Sequence, residues 1–144
     1  MTEPKVFEQF FLKGQMPSGK NSVIVTRTGH RFPAKRFVDW REDAMAQLKH
    51  QRIDSTAPFE GPCTVEVGYA RGDLRRRDVP GMIDALCHLL EKYGIVKDDS
   101  QLIEWHWLPA EFDDPGIRVN IIAREEAPVC RLPKRQPKPR SRSR

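Results

Sequence analysis

Residues 75–101 read RRRDVPGMIDALCHLLEKYGIVKDDSQ, and this stretch decides the fold. Pro80 near the first turn and Gly94 just past the last turn are the expected start and stop signals of a helix. A helix with one apolar face must pack against another layer, and we expect that layer to be a β-sheet. The apolar residues that recur with the spacing of one buried helical face are Met82, Ile83, Leu86, Leu89, Leu90 and Tyr93.

Carboxylates lie before, on and after this helix. Asp78 precedes it, Asp84 and His88 lie four residues apart on its polar face, and Asp98 and Asp99 follow it. Like charges brought close together repel each other, and a hard divalent cation such as Mg²⁺ removes that cost. The spacing therefore indicates a metal site. It fits equally a helix cap at Asp78 and a surface turn at the later pair, because Asp is favoured at both places.

The rest of the chain alternates between strand-like and helical patterns. A second helix is predicted over residues 33–51, where Phe37, Trp40, Ala44 and Leu48 share one face. Trp105 and Trp107 lie in an alternating strand, which favours a core or dimer-interface role over base stacking. Strands are predicted at residues 6–13, 22–27, 31–32, 63–69, 102–108 and 116–124, the second and third as a hairpin. Together these elements predict an α+β fold with a mixed sheet and two main helices.

Charge divides the chain into two parts. The whole chain carries 25 Lys and Arg against 20 Asp and Glu, a net charge of +5. Residues 131–144, RLPKRQPKPRSRSR, hold seven of those basic residues and no acid, so residues 1–130 carry 18 basic and 20 acidic residues, a net charge of −2. We expect one domain over residues 1–130 and a disordered basic tail that contacts a polyanion. The alternative is a tail that only improves solubility.

Several classes of protein are disfavoured. No apolar run has the length of a membrane span, and no signal-peptide core precedes the domain. Cys63, Cys87 and Cys130 show no CxxC spacing, which argues against a structural zinc site and indicates thiols in a reducing cytoplasm. Lys20 lies in a loop rich in Pro, Ser, Gly and Asn, where it reaches a phosphate or is simply solvated.

Residues 76–101 resemble the RusA family of Holliday junction resolvases, which are common in phages and prophages. The family pattern RRDxDNxxKxxxDALxxAGxxxDDSQ fits without a gap, with its first Asp on Asp78 and its closing DDSQ on residues 98–101. The loop PSGKNS and the segment GHRFPAKRFVDWRE also resemble the family's opening loop and first helix. The resemblance implies a homodimeric, Mg²⁺-dependent endonuclease, with Mn²⁺ as a substitute ion. It also carries the family's acidic residues over to Asp78, Asp99 and Asp98.

This chain departs from the family pattern at four places. Pro80 stands where the family has a second Asp, Gly81 where it has Asn, Asp84 where it has the catalytic Lys, and His88 where it has a later Asp. We expect Asp84 to supply the carboxylate that Pro80 cannot, and His88 to orient it through a hydrogen bond. A positive charge must then come from elsewhere, and the candidates are Lys20, Lys97, Arg75, Arg76 and Arg77.

The hypothesis from the sequence is a nuclease that resolves four-way DNA junctions. Asp78, Asp84, Asp98 and Asp99 are assigned to the metal, and Asp78, Asp84, Asp99 and Lys20 to catalysis. The expected DNA contacts are Lys20, Arg75, Arg76, Arg77, Lys97, Lys134, Arg135, Lys138 and Arg140. The alternatives are a junction-binding protein that has lost cleavage, and a basic-tailed scaffold without a role on DNA.

Overall fold

The computed structural model describes residues 6–17, 23–72 and 78–124. Within these residues the strands are β1 (Val6–Lys13), β2 (Val23–Val25), β3 (Arg31–Pro33), β4 (Cys63–Ala70), β5 (Leu102–Pro109) and β6 (Gly116–Ala123). The helices are α1 (Lys35–His50), α2 (Val79–Tyr93) and a 3-10 helix at Asp99–Gln101. The predicted α+β class is confirmed, and β1 has the bounds that its sequence pattern predicts. The expected tail, residues 131–144, lies outside the described residues.

Four strands form one mixed sheet in the order β1-β6-β4-β5, and β2 pairs with β3 in a separate hairpin. β4 runs antiparallel to β6, with Val65 opposite Ile121. It runs parallel to β5, with Val65 opposite Trp105. Parallel neighbours need a crossover connection, and α2 provides it. This crossover leads the chain from the carboxyl end of β4 to the amino end of β5.

Both helices cover the same face of the sheet. The predicted face of α1, Phe37, Trp40, Ala44 and Leu48, is buried as expected. The predicted face of α2 is buried as well, except that Ile83 is only half-buried. These residues join one hydrophobic cluster with the strand residues Phe10, Leu12, Val65, Val67, Ile117, Val119 and Ile121. The opposite face of the sheet carries the polar side chains.

The ends of α2 follow local chemistry. Asp78 occupies the N-cap in an extended conformation, and Pro80 lies in the first turn, where its fixed φ suits a helix and its missing N–H is not needed. Gly94 ends the helix with φ of 98°, a left-handed conformation that glycine adopts without a steric penalty. At 15 residues, α2 is about 22 Å long, because each residue adds about 1.5 Å.

Two side-chain amides cover the outer edge of β1. Along β1, the side-chain amide of Gln51 accepts from the Phe11 N–H at 3.0 Å and donates to the Phe11 carbonyl at 2.6 Å. Gln47 bonds Lys13 in the same way, at 2.8 and 3.1 Å. These two amides, one from α1 and one from its C-cap residue, take the place of a neighbouring strand. Such side-chain cover protects an edge against pairing with another chain.

The hairpin is shorter than its sequence pattern predicts. Pairing covers Val23–Val25 and Arg31–Pro33, and the turn already begins at Thr26, whose N–H donates to the His30 carbonyl at 2.9 Å. Gly29 adopts φ of 82° in this turn.

In the described part of the chain, no helix combines the length and apolar character that a bilayer crossing requires.

Candidate active site

Asp78 stands at the N-terminus of α2 but does not cap it through its side chain. Its backbone has φ of −82° and ψ of 96°, and its side chain makes no capping hydrogen bond. The Asp78 carbonyl accepts the first helical hydrogen bond, from the Met82 N–H at 3.0 Å. The capping interpretation of this carboxylate is therefore wrong.

Asp98 does act as a cap. Its Oδ1 accepts from the Ser100 N–H at 2.9 Å, and Gln101 Oε1 in return accepts from the Asp98 N–H at 2.8 Å. The Gln101 amide also donates to the carbonyls of Phe59 and Gly61, at 2.7 and 2.8 Å. This capping box fixes the acidic turn to the segment that precedes β4.

The hydrogen bonds that stabilise this turn also shift the pKa of the Asp98 carboxyl. The backbone N–H and the hydroxyl of Ser100, followed by a hydrogen bond with Asp99, lower the pKa of Asp98 below its ordinary value. Hydrogen bonds to an ionised carboxylate favour the charged form. Asp98 therefore stays ionised as part of the turn.

The Cys87 thiol lies within electrostatic range of both Asp84 and Asp99. Burial is the largest of the causes that raise the pKa of this thiol to about 11, and the negative charges of Asp99, Asp84 and Glu91 act in the same direction. Asp84 and Glu91 lie one turn before and one turn after Cys87 on α2. Because the charge of Asp99 acts on the same thiol, the 3-10 helix lies within electrostatic range of the middle of α2.

Asp78 lies at the other end of this arrangement. α2 runs from the carboxyl end of β4 to the amino end of the parallel strand β5, so Asp78 and the Asp98–Asp99 pair lie at opposite ends of the helix. Asp78 precedes Cys87 by nine residues, about 13 Å along the axis. Among residues 6–17, 23–72 and 78–124, no three His, Cys, Asp or Glu side chains lie close enough to hold a metal ion. A single copy of the chain therefore does not present the expected ligand set as one group.

His88 does not have the orienting role expected of it. Its ring packs edge-on against Phe37 of α1, with centroids 5.8 Å apart and an angle of 76° between the planes. No hydrogen bond joins His88 to Asp84 in the described structure. The ring of His88 is directed toward α1 instead, where the aromatic contact with Phe37 is available.

The basic residues fall into two groups. Lys97 lies at the surface, and its Nζ is 3.0 Å from Glu60 Oε1 in a pair whose side chains are 70% and 71% exposed. Such an exposed pair contributes little stability and opens readily to a phosphate. The other expected DNA contacts lie outside the described residues: Lys20, Arg75, Arg76, Arg77, Lys134, Arg135, Lys138 and Arg140.

A polar cluster on the open face of the sheet was not singled out from the sequence. Glu104 accepts from the Thr64 hydroxyl at 3.3 Å, lies 2.9 Å from His106 Nε2, and forms an ion pair with Arg124. The alternation of β5 places Glu104 and His106 on one side. The arrival of Arg124 depends on the pairing of β4 with β6, which has no local signal in the sequence.

The Cys87 thiol gives a direct test of this geometry. With a pKa of about 11, only about one Cys87 thiol in a thousand is ionised at pH 8. Replacing Asp84 or Asp99 by Asn removes a nearby negative charge. We expect each variant to speed iodoacetamide alkylation of Cys87 by about two- to threefold, as followed by peptide mass spectrometry at pH 8. Asp43→Asn, on α1, is the matched control and should leave the rate unchanged.

Addition of Mg²⁺ extends the same measurement. An ion held by Asp84 or Asp99 neutralises their charges and should speed alkylation of Cys87 in the wild-type protein. Mg²⁺ should have a smaller effect on the alkylation rate in Asp84→Asn and Asp99→Asn. Equal alkylation rates in all four proteins would contradict the placement of these carboxylates beside Cys87.

Comparison with known proteins gives one informative similarity. The crossover junction endodeoxyribonuclease RusA of Aquifex aeolicus (strain VF5) is 26% identical over 106 residues, which cover 74% of this chain and 82% of the relative. No protein-family model matches the chain.

Proposed function

We propose that this protein is a structure-selective endonuclease that cuts four-way DNA junctions. The observation that carries the proposal is the similarity to a crossover junction endodeoxyribonuclease over 74% of the chain. It is supported by the acids at the two ends of α2, Asp78 before the helix and Asp98 and Asp99 after it. It is also supported by the mixed α+β fold in which these acids are set.

The proposed cofactor is Mg²⁺, with Mn²⁺ as a substitute. Carboxylate oxygens are the ligands such hard ions take, and a bound ion would offset the charge of the scissile phosphate. The charges of Asp99 and Asp84 both act on the Cys87 thiol, whereas Asp78 lies at the start of α2. Within the described residues of one chain, these acids do not form one group.

A second candidate is a protein that binds junctions without cutting them. Pro80 and Asp84 stand where the resolvase pattern has an acid and a lysine, and this substitution favours loss of activity. The same surface and the same basic segment would serve both functions. The distinction therefore depends on chemistry at the acids rather than on DNA binding.

A supercoiled plasmid with an extruded cruciform separates these functions. The proposal predicts linearisation at the cruciform with Mg²⁺ and none with EDTA. Binding to the cruciform without cutting, measured by gel shift, would support the non-catalytic alternative. Neither binding nor cutting would leave only a scaffold without a role on DNA.

Removal of residues 131–144 tests how the protein reaches DNA. This segment holds seven of the 25 basic residues. We expect its deletion to lower affinity for any DNA and to flatten the slope of log affinity against log salt by about 0.9 for each phosphate that the shortened protein no longer neutralises. Titration by fluorescence anisotropy between low and moderate salt measures both quantities. An unchanged slope would show that the segment does not contact DNA.

A further inference from the structure

The connector between β5 and β6, residues 110–115, folds back over the open face of the sheet. A Cβ atom built on Gly68 of β4 would lie 3.3 Å from the Ala110 Cβ and 3.6 Å from the Phe112 ring. Gly68 points to the opposite face of the sheet from its neighbour Val67, which is buried in the core. The lack of a side chain at Gly68 therefore lets the connector lie close against the open face and fixes Phe112 there.

A cavity of about 680 Å³ lies between this connector and β1. It is lined by Phe11 of β1 and by Glu111, Phe112, Asp113 and Asp114 of the connector. The centroids of the two phenylalanine rings are 5.2 Å apart, and the ring planes meet at 88°, so the rings form two adjoining walls. We call this cavity the connector pocket. Its volume lies within the range of about 300–1,000 Å³ that is typical of ligand sites.

The connector pocket has the chemistry to bind a cation that is carried on a hydrocarbon stem. Its three acids are exposed, and in the part of the chain that the structure describes no ion pair engages them. The Arg118 guanidinium already lies 5.1 Å from the centre of the Phe112 ring, so an aromatic wall of this pocket accepts a cation. Among the described residues, no three acidic, His or Cys side chains lie close enough to hold a metal ion. Aromatic walls with separated carboxylates therefore favour the ammonium or guanidinium group of a Lys or Arg side chain, whose stem can lie on the rings.

The chain itself carries a segment with matching charge and sufficient reach. Residues 131–144 hold seven Lys and Arg and no acid, whereas residues 1–130 carry a net charge of −2. β6 leads the chain from the pocket end of the sheet to Arg124, about 26 Å away at about 3.3 Å per residue. Ten residues beyond Arg124, Lys134 can extend up to about 33 Å from it, so Lys134 and the basic residues after it can reach the pocket. Tethering gives this segment a local concentration on the order of millimolar, which is enough to fill a weak site.

We propose that the connector pocket binds Lys and Arg side chains of the chain's own segment 131–144 when no DNA is bound. DNA phosphates attract the same side chains, so each of these side chains contacts either the pocket or DNA. The pocket thus lowers the affinity for DNA by holding back part of the positive charge. This competition rests on the proposed function, whereas the docking of the segment does not.

Zero-length crosslinking of the full chain with a carbodiimide tests the docking without DNA. We expect peptide mass spectra to show Lys134 and Lys138 joined to the three pocket acids more often than to Asp39 and Glu42, which are equally exposed acids on α1. Phe112→Leu keeps an apolar side chain against β4 but removes the aromatic wall. It should lower the yield of pocket crosslinks by about two- to fivefold, the loss expected for an exposed cation–π contact.

Three results of this experiment would overturn the docking. One is crosslinks spread evenly over the pocket and the α1 acids, and another is an unchanged yield in Phe112→Leu. The third comes from a mixture of unlabelled and isotope-labelled protein, in which crosslinks between one copy of each would make a neighbouring copy the source of the segment. Circular dichroism of Phe112→Leu confirms that this variant is folded.

Affinity for linear duplex DNA, measured by fluorescence anisotropy, tests the competition. The full chain with Gln or Asn at the three pocket acids is compared with a control that loses three exposed charges from the helices, Asp39→Asn/Glu42→Gln/Glu91→Gln. If the segment is docked about two-thirds of the time, release should make the pocket variant bind about threefold more tightly than the control. Equal affinities of the two variants would overturn the competition. Pocket crosslinks in a protein that binds no DNA in any form would refute the proposed function and leave the docking in place.

Discussion

Replacement of Asp99 by Asn is expected to lower the rate of junction cleavage by at least about 100-fold, or about 2.7 kcal/mol of transition-state free energy. The same reduction is expected for Asp78→Asn. Both carboxylates are assigned to the metal rather than to phosphate contact, so junction affinity should stay the same or rise slightly as a negative charge is removed. Single-turnover cleavage and gel shift of the same junction measure the two quantities separately.

Asp98→Asn is the matched control for this prediction. Asn caps a helix about as well as Asp, so the turn that holds Ser100 and Gln101 should persist while one charge is removed. Because the Asp98 carboxylate is engaged in that turn, we expect the cleavage rate to fall by less than about tenfold. Near wild-type cutting by Asp99→Asn or Asp78→Asn at low Mg²⁺ would contradict the site assignment.

Replacement of Asp84 by Asn should also impair cleavage, by about tenfold at low Mg²⁺, or about 1.4 kcal/mol. Asp84 is exposed, its charge acts on the same Cys87 thiol as that of Asp99, and within the described residues no ion pair engages it. A shorter side chain than the lysine of the family pattern needs a water or a shifted ion to reach the site. The cleavage rate should therefore be partly recovered at high Mg²⁺ or with Mn²⁺.

Glu91→Gln is the control for Asp84, because it removes an equal charge one turn beyond Cys87 on the same flank. It should cut at the wild-type rate. The melting temperature of both variants in EDTA should be nearly unchanged, since exposed helix positions tolerate such changes within about 0.5 kcal/mol. Full activity of both Asp84→Asn and Asp84→Ala would remove Asp84 from the site and leave Asp78, Asp98 and Asp99.

Most of the fold could be predicted because its signals are local. The spacing of apolar residues in α1 and α2, and the stop at Gly94, depend on residues within one or two turns of each other. The alternation in β4, β5 and β6 is equally local. The strand order is not, because it depends on pairings between residues far apart in the chain. The hydrogen bonds of Gln47 and Gln51 to β1 likewise join residues far apart in the chain, with 34 and 40 residues between the partners.

The candidate site was predicted less completely for a related reason. The sequence places Asp78, Asp84, Asp98 and Asp99 near one another along the chain, which suggests a cluster. A helix of about 22 Å between the first acid and the last two prevents one. His88 was misassigned because its neighbour Phe37 comes from the other helix. No local pattern in the sequence links Cys87 to Asp99, whose charge acts on its thiol.

Cleavage of a synthetic four-way junction tests the central claim most directly. Each of the four strands is end-labelled in turn, and the junction is incubated with the wild-type protein and Mg²⁺. The proposed function predicts paired nicks at symmetric positions in two opposite strands, with linear duplex of the same sequence left uncut. The double variant Asp78→Asn/Asp99→Asn should give no nicks. An uncut junction, or duplex cut at the same rate as the junction, would contradict the proposed function.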